Sequence, residues 1–299
     1  MGDGVRVVVT GAAGQLGQAL QACLPPGIEL IALTRHALDL ADAKACASLV
    51  RELKPDWLLN AGAYTAVDRA ESEPELAHAV NAGAPAAFAE ALAQTGGRML
   101  QISTDFVFAG NQGSPYGPDQ RVQPLGVYGT SKAAGEVAVL EALPQGRRAV
   151  VRTSWLYGPV GQNFLLTMLR LHRLKAAAGE SFGVVADQVG CPTSTAGLAR
   201  VCWRLIAQQA LPPVLHWSDA GAASWYDFAV AIGELAVAAG LLDQAATVRP
   251  LTTADYPTLA QRPSYSLLDS TRTRSLLALD PVHWQFALHQ VLVGLADNR

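Results

Sequence analysis

The sequence predicts an α/β fold: a doubly wound parallel sheet followed by a smaller α/β lobe. Three observations carry that reading. Short apolar runs alternate with helix-patterned stretches through the first half of the chain. Those runs are continuously apolar, as strands covered on both faces require. A glycine-rich segment, Gly11-Ala-Ala-Gly14-Gln-Leu-Gly17, joins the first such run to the first helical stretch.

In chain order, Val5–Thr10 is rich in β-branched residues and reads as a buried strand. Gln15–Leu24 has a helical pattern and is stopped by Pro25-Pro26. Glu29–Leu33 is a second strand, and Asp42–Leu53 a second helix with Asp42 as its N-cap. Asp56–Asn60 is a third strand. Glu75–Gln94 is a long alanine-rich helical stretch, broken or restarted near Pro85. Arg98–Thr104 and Ala149–Ser154 are further strands, with the helix Tyr128–Leu143 between them. From about Gly158 the pattern is less regular, punctuated at Pro192, Pro212-Pro213, Pro250, Pro257 and Pro263. We therefore divide the chain into residues 1–157, a dinucleotide-binding domain, and 158–299, mainly a substrate-binding lobe. A stretch at about 190–212 is expected to return to the first domain.

Composition excludes several classes. With 50% hydrophobic and 16% charged residues in 299, the chain can bury a sizeable core. The formal charge of −3, with no block of like charges, gives no footprint for nucleic acid or an anionic membrane. Cys23, Cys46, Cys191 and Cys202 form no CxxC pair and read as reduced thiols. No HxxxH pair is present, and no metal site is expected. The N-terminus, Met-Gly-Asp-Gly and then a β-like run, lacks the features of a signal peptide. The apolar region Trp225–Leu242 contains Asp227 and Glu234, which suits a packed helix better than a membrane span. The expectation is a soluble, cytoplasmic protein.

The glycine segment has a specific physical meaning. The first glycine allows a tight turn, the second lets backbone approach a pyrophosphate, and the third lets helix pack on strand. The helix N-terminus behind them offers free N–H groups and partial positive charge. Gly11, Gly14, Gln15, Leu16 and Gly17 are thus candidate cofactor contacts in a Rossmann-type fold, although glycines so spaced also occur in plain turns. The second strand ends Leu33-Thr34-Arg35-His36, without the carboxylate that would hold the ribose of NAD. Arg35 suits a 2′-phosphate, or is simply a solvated arginine. NADPH is expected to serve at least as well as NADH.

Tyr128-Gly-Thr-Ser-Lys132 opens a helix and places phenol and amine on one face, a turn apart. A nearby ammonium is expected to lower the tyrosine pKa, making Tyr128 a proton donor and acceptor. Ser103-Thr104-Asp105 ends the fourth strand, where Thr104 can hydrogen-bond a carbonyl or developing alkoxide. The same hydroxyls could instead only satisfy backbone groups.

With these residues in hand, the sequence resembles the dTDP-4-dehydrorhamnose reductase family. The resemblance extends through Asn60-Ala-Gly-Ala-Tyr-Thr-Ala-Val-Asp68, Ser103–Phe108, Arg152-Thr-Ser-Trp155, Asn163-Phe164 and Asp187-Gln188. It continues at Pro192-Thr193, Trp225-Tyr226-Asp227 and Arg262-Pro263, so it spans nearly the whole chain. It implies an extended short-chain dehydrogenase that reduces the C4 keto group of dTDP-4-dehydro-L-rhamnose with NADPH, NADH being possible. Tyr128 would supply the proton, Lys132 would hold the nicotinamide ribose, and Thr104 the sugar oxygen. Asp39 and Leu40 would face the adenine, with Ala63, Tyr64 and Thr65 along the cofactor. Val67, Asp105 and Trp155 would line the sugar pocket, with Trp155 as core packing the alternative. Gln188 and Arg262 would reach the nucleotide half of the substrate.

The family's magnesium-bridged dimers use glutamates at positions that align with Gln15, Ala196 and Gly294, none a carboxylate. A monomer or a homodimer without such a bridge is therefore expected. A dehydratase on this fold would need a second carboxylate beside Asp105, where Phe106 stands. A 4-epimerase would keep NAD bound, and a non-catalytic regulatory relative would not need Thr104, Tyr128 and Lys132.

Overall fold

The computed structural model describes residues 4–297. Met1, Gly2 and Asp3, on which the reading of the N-terminus partly rests, lie outside the described residues.

The first half is strand–helix alternation. It runs β1 (Val5–Thr10), α1 (Gln15–Ala22), β2 (Ile28–Leu33), α2 (Ala43–Leu53) and β3 (Trp57–Asn60). Short helices α3 (Val67–Ala70) and α4 (Pro74–His78) lead through a π-helical turn, Ala79–Gly83, into α5 (Ala84–Thr95). Then come β4 (Arg98–Thr104), α6 (Val127–Ala142) and β5 (Arg148–Thr153).

The expected elements form, with ends moved by local chemistry. Helix α1 stops at Ala22, short of Leu24, because a residue before proline is pushed out of the helical region. Asp42 caps α2, its carboxylate accepting the Ala45 N–H at 2.9 Å. The alanine-rich stretch restarts near Pro85 as expected, with α5 beginning at Ala84. The π turn widens the helix just before a residue that has no N–H to donate.

The second half supplies β6 (Leu156–Tyr157), α7 (Phe164–Ala178), β7 (Phe182–Val185), β8 (Val189–Gly190), β9 (Thr193–Ser194) and α8 (Thr195–Ile206). It continues with β10 (Val214–His216), β11 (Ala223–Ser224), α9 (Trp225–Ala238), β12 (Val248–Leu251), α10 (Thr271–Leu277) and α11 (Trp284–Asp297). Asp227, which interrupts the apolar run, belongs to a capping box with Ser224 at the start of α9. No described helix is long and apolar enough to cross a membrane.

Six parallel strands make the main sheet in the order β10-β5-β4-β3-β1-β2. Helices α1 and α8 cover one face through Leu16, Leu20, Leu198, Cys202 and Trp203. Helices α2, α5 and α6 cover the other through Val50, Phe88, Leu92 and Val139. The returning segment extends past residue 212, since β10 joins the sheet beside β5. A separate core of α7, α9 and α11 around Leu165, Phe228 and Leu288 forms the smaller lobe. Chain order reverses between β1 and β3, which opens a crevice outside the carboxyl ends of the strands.

One buried charge cluster braces that end of the sheet. Glu136 accepts from Arg152 Nε at 2.9 Å and from its terminal nitrogen at 2.7 Å, and from the Ser103 hydroxyl at 2.5 Å. The Arg152 guanidinium also lies 5.1 Å from the Phe108 ring. Both charges are withdrawn from water, so removing one leaves the other uncompensated. Glu136→Gln is expected to lower unfolding free energy by about 3 kcal/mol in urea titration. A loss below about 1 kcal/mol would contradict this role.

Candidate active site

The glycine turn is built as a phosphate cradle requires. Gly11 is left-handed, with φ 65°, and a Cβ there would lie 2.7 Å from Gly62 backbone. A Cβ on Gly17 would lie 2.2 Å from the Gly11 carbonyl oxygen. Gly14 is the N-cap of α1 and offers no side-chain cap, so the first N–H groups of the helix are not taken by one. Leu16 sends its side chain into the core, leaving only its backbone to a ligand. The side-chain amide of Gln15 bridges to the loop before α7, accepting from Asn163 at 2.8 Å.

The residues after β2 and β3 border this turn. Arg35 is exposed and makes no ion pair among the described residues. Asp39 caps its own turn, accepting the Ala41 N–H at 3.0 Å. The Leu40 side chain lies against Gly62, beside Gly11. Ala63, Tyr64 and Thr65 follow β3, and the buried Asn81 pins them. Its amide accepts the Tyr64 N–H at 2.9 Å, donates to the Tyr64 carbonyl at 3.0 Å and donates to Ser131 Oγ at 3.0 Å. Ser131 stands between Tyr128 and Lys132 on α6. Asn81 thus joins the loop after β3 to α6. Sequence reasoning missed it; the one signal was Asn81-Ala-Gly83 interrupting an alanine-rich helix before Pro85.

Thr104 and Tyr128 stand side by side, and Lys132 reaches the same strand two residues earlier, at Ile102. Thr104 ends β4; its hydroxyl donates to Asp105 Oδ1 at 3.0 Å and lies close enough to the Tyr128 phenol to pull on its pKa. Phe106 meets the Tyr128 ring edge-on at 5.5 Å, and Val67 packs in the same cluster. Burial pushes the Tyr128 phenol up to about 12, against a partial pull downward from Thr104. The expected lowering by Lys132 is therefore corrected. The amine donates to the Ile102 carbonyl at 2.7 Å and is not among the influences on the phenol. Burial brings Lys132 itself down to about 8, with Glu136 opposing.

A row of buried polar groups connects the glycine turn to this amine. Thr10 Oγ1 donates to Asn60 Oδ1 at 2.5 Å and accepts the Gly62 N–H at 3.1 Å. Asn60 donates to the Gln101 side chain at 2.8 Å. Gln101 in turn donates to the Ile102 carbonyl at 2.8 Å, the group that holds Lys132.

On the far side of the crevice, Asp105 is buried and its Oδ2 has no hydrogen-bond partner. Burial raises its carboxyl to about 6, although Ser266 and Thr104 hydroxyls pull it back. Trp155 is half-buried directly after β5, the neighbour of β4. Gln188 is buried and donates to Thr253 at 3.1 Å. Arg262 is already engaged, in a two-point ion pair with Asp68 at 3.1 and 2.8 Å. The unsatisfied Asp105 oxygen and the glycine cradle fit a polar ligand beside a dinucleotide.

A family model described as the RmlD substrate binding domain matches residues 5–296. The dTDP-4-dehydrorhamnose reductase of Streptomyces griseus is 42% identical over 299 residues, covering 98% of this chain and 95% of that one. The enzyme of the same name from Aggregatibacter actinomycetemcomitans is 38% identical over 293 residues, covering 96% and 98%. The crystal structure of dTDP-4-dehydrorhamnose reductase from Bacillus anthracis in complex with NADP matches with TM-score 0.88 at 34% identity, covering 97% of this chain and 99% of that one. A UDP-glucose 4-epimerase from Thermus thermophilus in complex with NAD covers 97% and 98% at TM-score 0.78 but only 20% identity, a likeness of fold alone. Likeness sustained along the whole length, over a site of this construction, makes the chain a member of the dTDP-4-dehydrorhamnose reductase family.

Proposed function

We propose that this protein reduces the C4 keto group of dTDP-4-dehydro-L-rhamnose to give dTDP-L-rhamnose, using NADPH and accepting NADH. The observation that supports this reading is the placing of Thr104 beside Tyr128, with Lys132 held on the same strand at the Ile102 carbonyl, at the carboxyl end of the sheet that the glycine turn borders. NADPH, when bound, supplies the hydride.

The chain's own residues do the rest. Gly11, Gly14, Gly17 and the N-terminus of α1 receive the pyrophosphate. Arg35 is a free cation at the end of β2 and suits a 2′-phosphate. Asp39 and Leu40 border the adenine, and Ala63, Tyr64 and Thr65 the middle of the cofactor. Lys132, fixed on the Ile102 carbonyl, holds the nicotinamide ribose and presents a positive charge to the developing alkoxide. Tyr128 is protonated at neutral pH, and burial lifts its pKa further, so the phenol is a weaker acid than a free one until its proton passes to the developing alkoxide. Thr104 orients that hydroxyl and hydrogen-bonds the sugar oxygen. Val67, Asp105 and Trp155 form the sugar side. Gln188 and Arg262, in the lobe of residues 158–299, stand on the nucleotide side, where Arg262 would have to loosen its hold on Asp68 to reach a phosphate. Elimination chemistry is disfavoured, since Phe106 occupies the position of a second carboxylate.

The assembly is a monomer or a homodimer without a magnesium bridge. Ala196 and Gly294 line one groove and, like Gln15, offer no carboxylate where a bridging Mg2+ would need one. The mass by light scattering is expected not to change on adding EDTA. A fall from dimer to monomer would contradict this.

Tyr128→Phe removes the proton donor and little else. Turnover of dTDP-4-dehydro-L-rhamnose with NADPH should fall by about 10²-fold or more, with cofactor affinity within about twofold of the parent. A variant that stays fully active would refute the assignment of the acid.

A further inference from the structure

We infer that Trp225 is a positioning residue for the reaction, acting through Trp155 and not on the substrate directly. This rests on the reading above that Trp155 lines the sugar pocket.

Trp155 is held in an unusual state. Its φ is 47°, in the left-handed region that bulky L residues avoid. Its ring lies 3.6 Å from that of Trp225, with planes 7° apart. Ring quadrupoles favour offset or edge-on pairs over such a sandwich, so the surroundings must impose it. Three features do so. The Trp155 carbonyl accepts the Thr193 N–H at 3.2 Å. Gly190 leaves room for the indole, since a Cβ there would lie 2.7 Å from the ring. Trp225 sits at the first position of α9, where the Ser224–Asp227 box fixes the backbone, and Phe164 packs on its ring at 4.7 Å.

The pair is also tied to the reacting corner. Strand β8 carries Gly190 beneath Trp155 and pairs with β11, which leads straight into Trp225. The carbonyl of Val189 in that strand accepts the Ser266 N–H at 2.8 Å, and the Ser266 side chain reaches Asp105. Trp225 therefore fixes the indole wall of the pocket relative to Asp105 and Thr104. It makes no contact with Tyr128, Lys132 or the glycine turn. Its loss should weaken sugar binding and leave the proton and hydride steps intact.

The test compares Trp225→Leu, Trp225→Phe, Trp155→Leu and the Trp155→Leu/Trp225→Leu double variant. Trp225→Leu should raise KM for dTDP-4-dehydro-L-rhamnose about three- to tenfold. Its kcat and NADPH Kd should stay within about twofold of the parent. Trp225→Phe, which keeps a flat ring, should recover most of the KM. The double variant should match Trp155→Leu alone, because the effect runs through Trp155. Far-UV circular dichroism should lose the exciton couplet of the stacked indoles in every variant. A Trp225→Leu protein with lower Tm and unchanged KM would overturn the inference in favour of a purely structural role. If Trp155→Leu raises KM and Trp225→Leu does not, the inference fails while the pocket reading stands. If Trp155→Leu itself leaves KM unchanged, the pocket reading fails and the inference with it. Should Trp225→Leu not fold, Trp225→Met is judged by the same criteria.

Discussion

The site depends on a row of buried hydrogen bonds that crosses the carboxyl edge of the sheet. Thr10, Asn60 and Gln101 face one another at matched positions on β1, β3 and β4, and the row ends at the carbonyl that holds Lys132. Each group is withdrawn from water, so each must find a partner inside the protein. A slip of one residue between neighbouring strands would turn these side chains to the opposite face and leave them unsatisfied. The register that presses Gly11 against Gly62 is therefore the register that sets where the amine stands. Cofactor turn and catalytic helix are aligned by one constraint.

Around that row burial sets the electrostatics. Tyr128 is dry and keeps its proton, Lys132 is dry and oriented by a backbone carbonyl, and Thr104 links the phenol to Asp105. Glu136 sits one helical turn beyond Lys132, where its charge is shared with Arg152 and Ser103. The candidate catalytic groups and the groups that hold the sheet edge thus belong to one polar core, flanked by the apolar layers on each face.

Much of this was legible in the sequence because it is local. The strands of the first half announce themselves as continuous apolar runs, and Asp42, Gly11 and Pro25 mark boundaries through backbone chemistry that needs no tertiary context. The spacing of Tyr128 and Lys132 placed them correctly on one helical face. What spacing does not carry is where the amine points, because its partner, Ile102, lies thirty residues away in sequence. For the same reason the sign of the tyrosine shift was misread: burial outweighs a neighbour whose hydrogen bond is directed elsewhere. The π turn also escapes a local reading. It is settled by packing against α6, where a Cβ on Gly135 would lie 2.0 Å from the Asn81 carbonyl oxygen. The three-residue strand Val214–His216, directly after a double proline, is too short to signal itself and forms because β5 offers it an edge.

The central claim is that a phenol, an amine and a hydroxyl stand where a nicotinamide can deliver hydride directly to a sugar carbonyl. The most direct measurement supplies dTDP-4-dehydro-L-rhamnose with NADPH deuterated at the nicotinamide C4 and locates the label by NMR. Deuterium at C4 of the rhamnose product, with C4 receiving no hydrogen from solvent, is the predicted result. Label retained on NADPH while no sugar is reduced, or a solvent-derived hydrogen at C4 of the product, would contradict it.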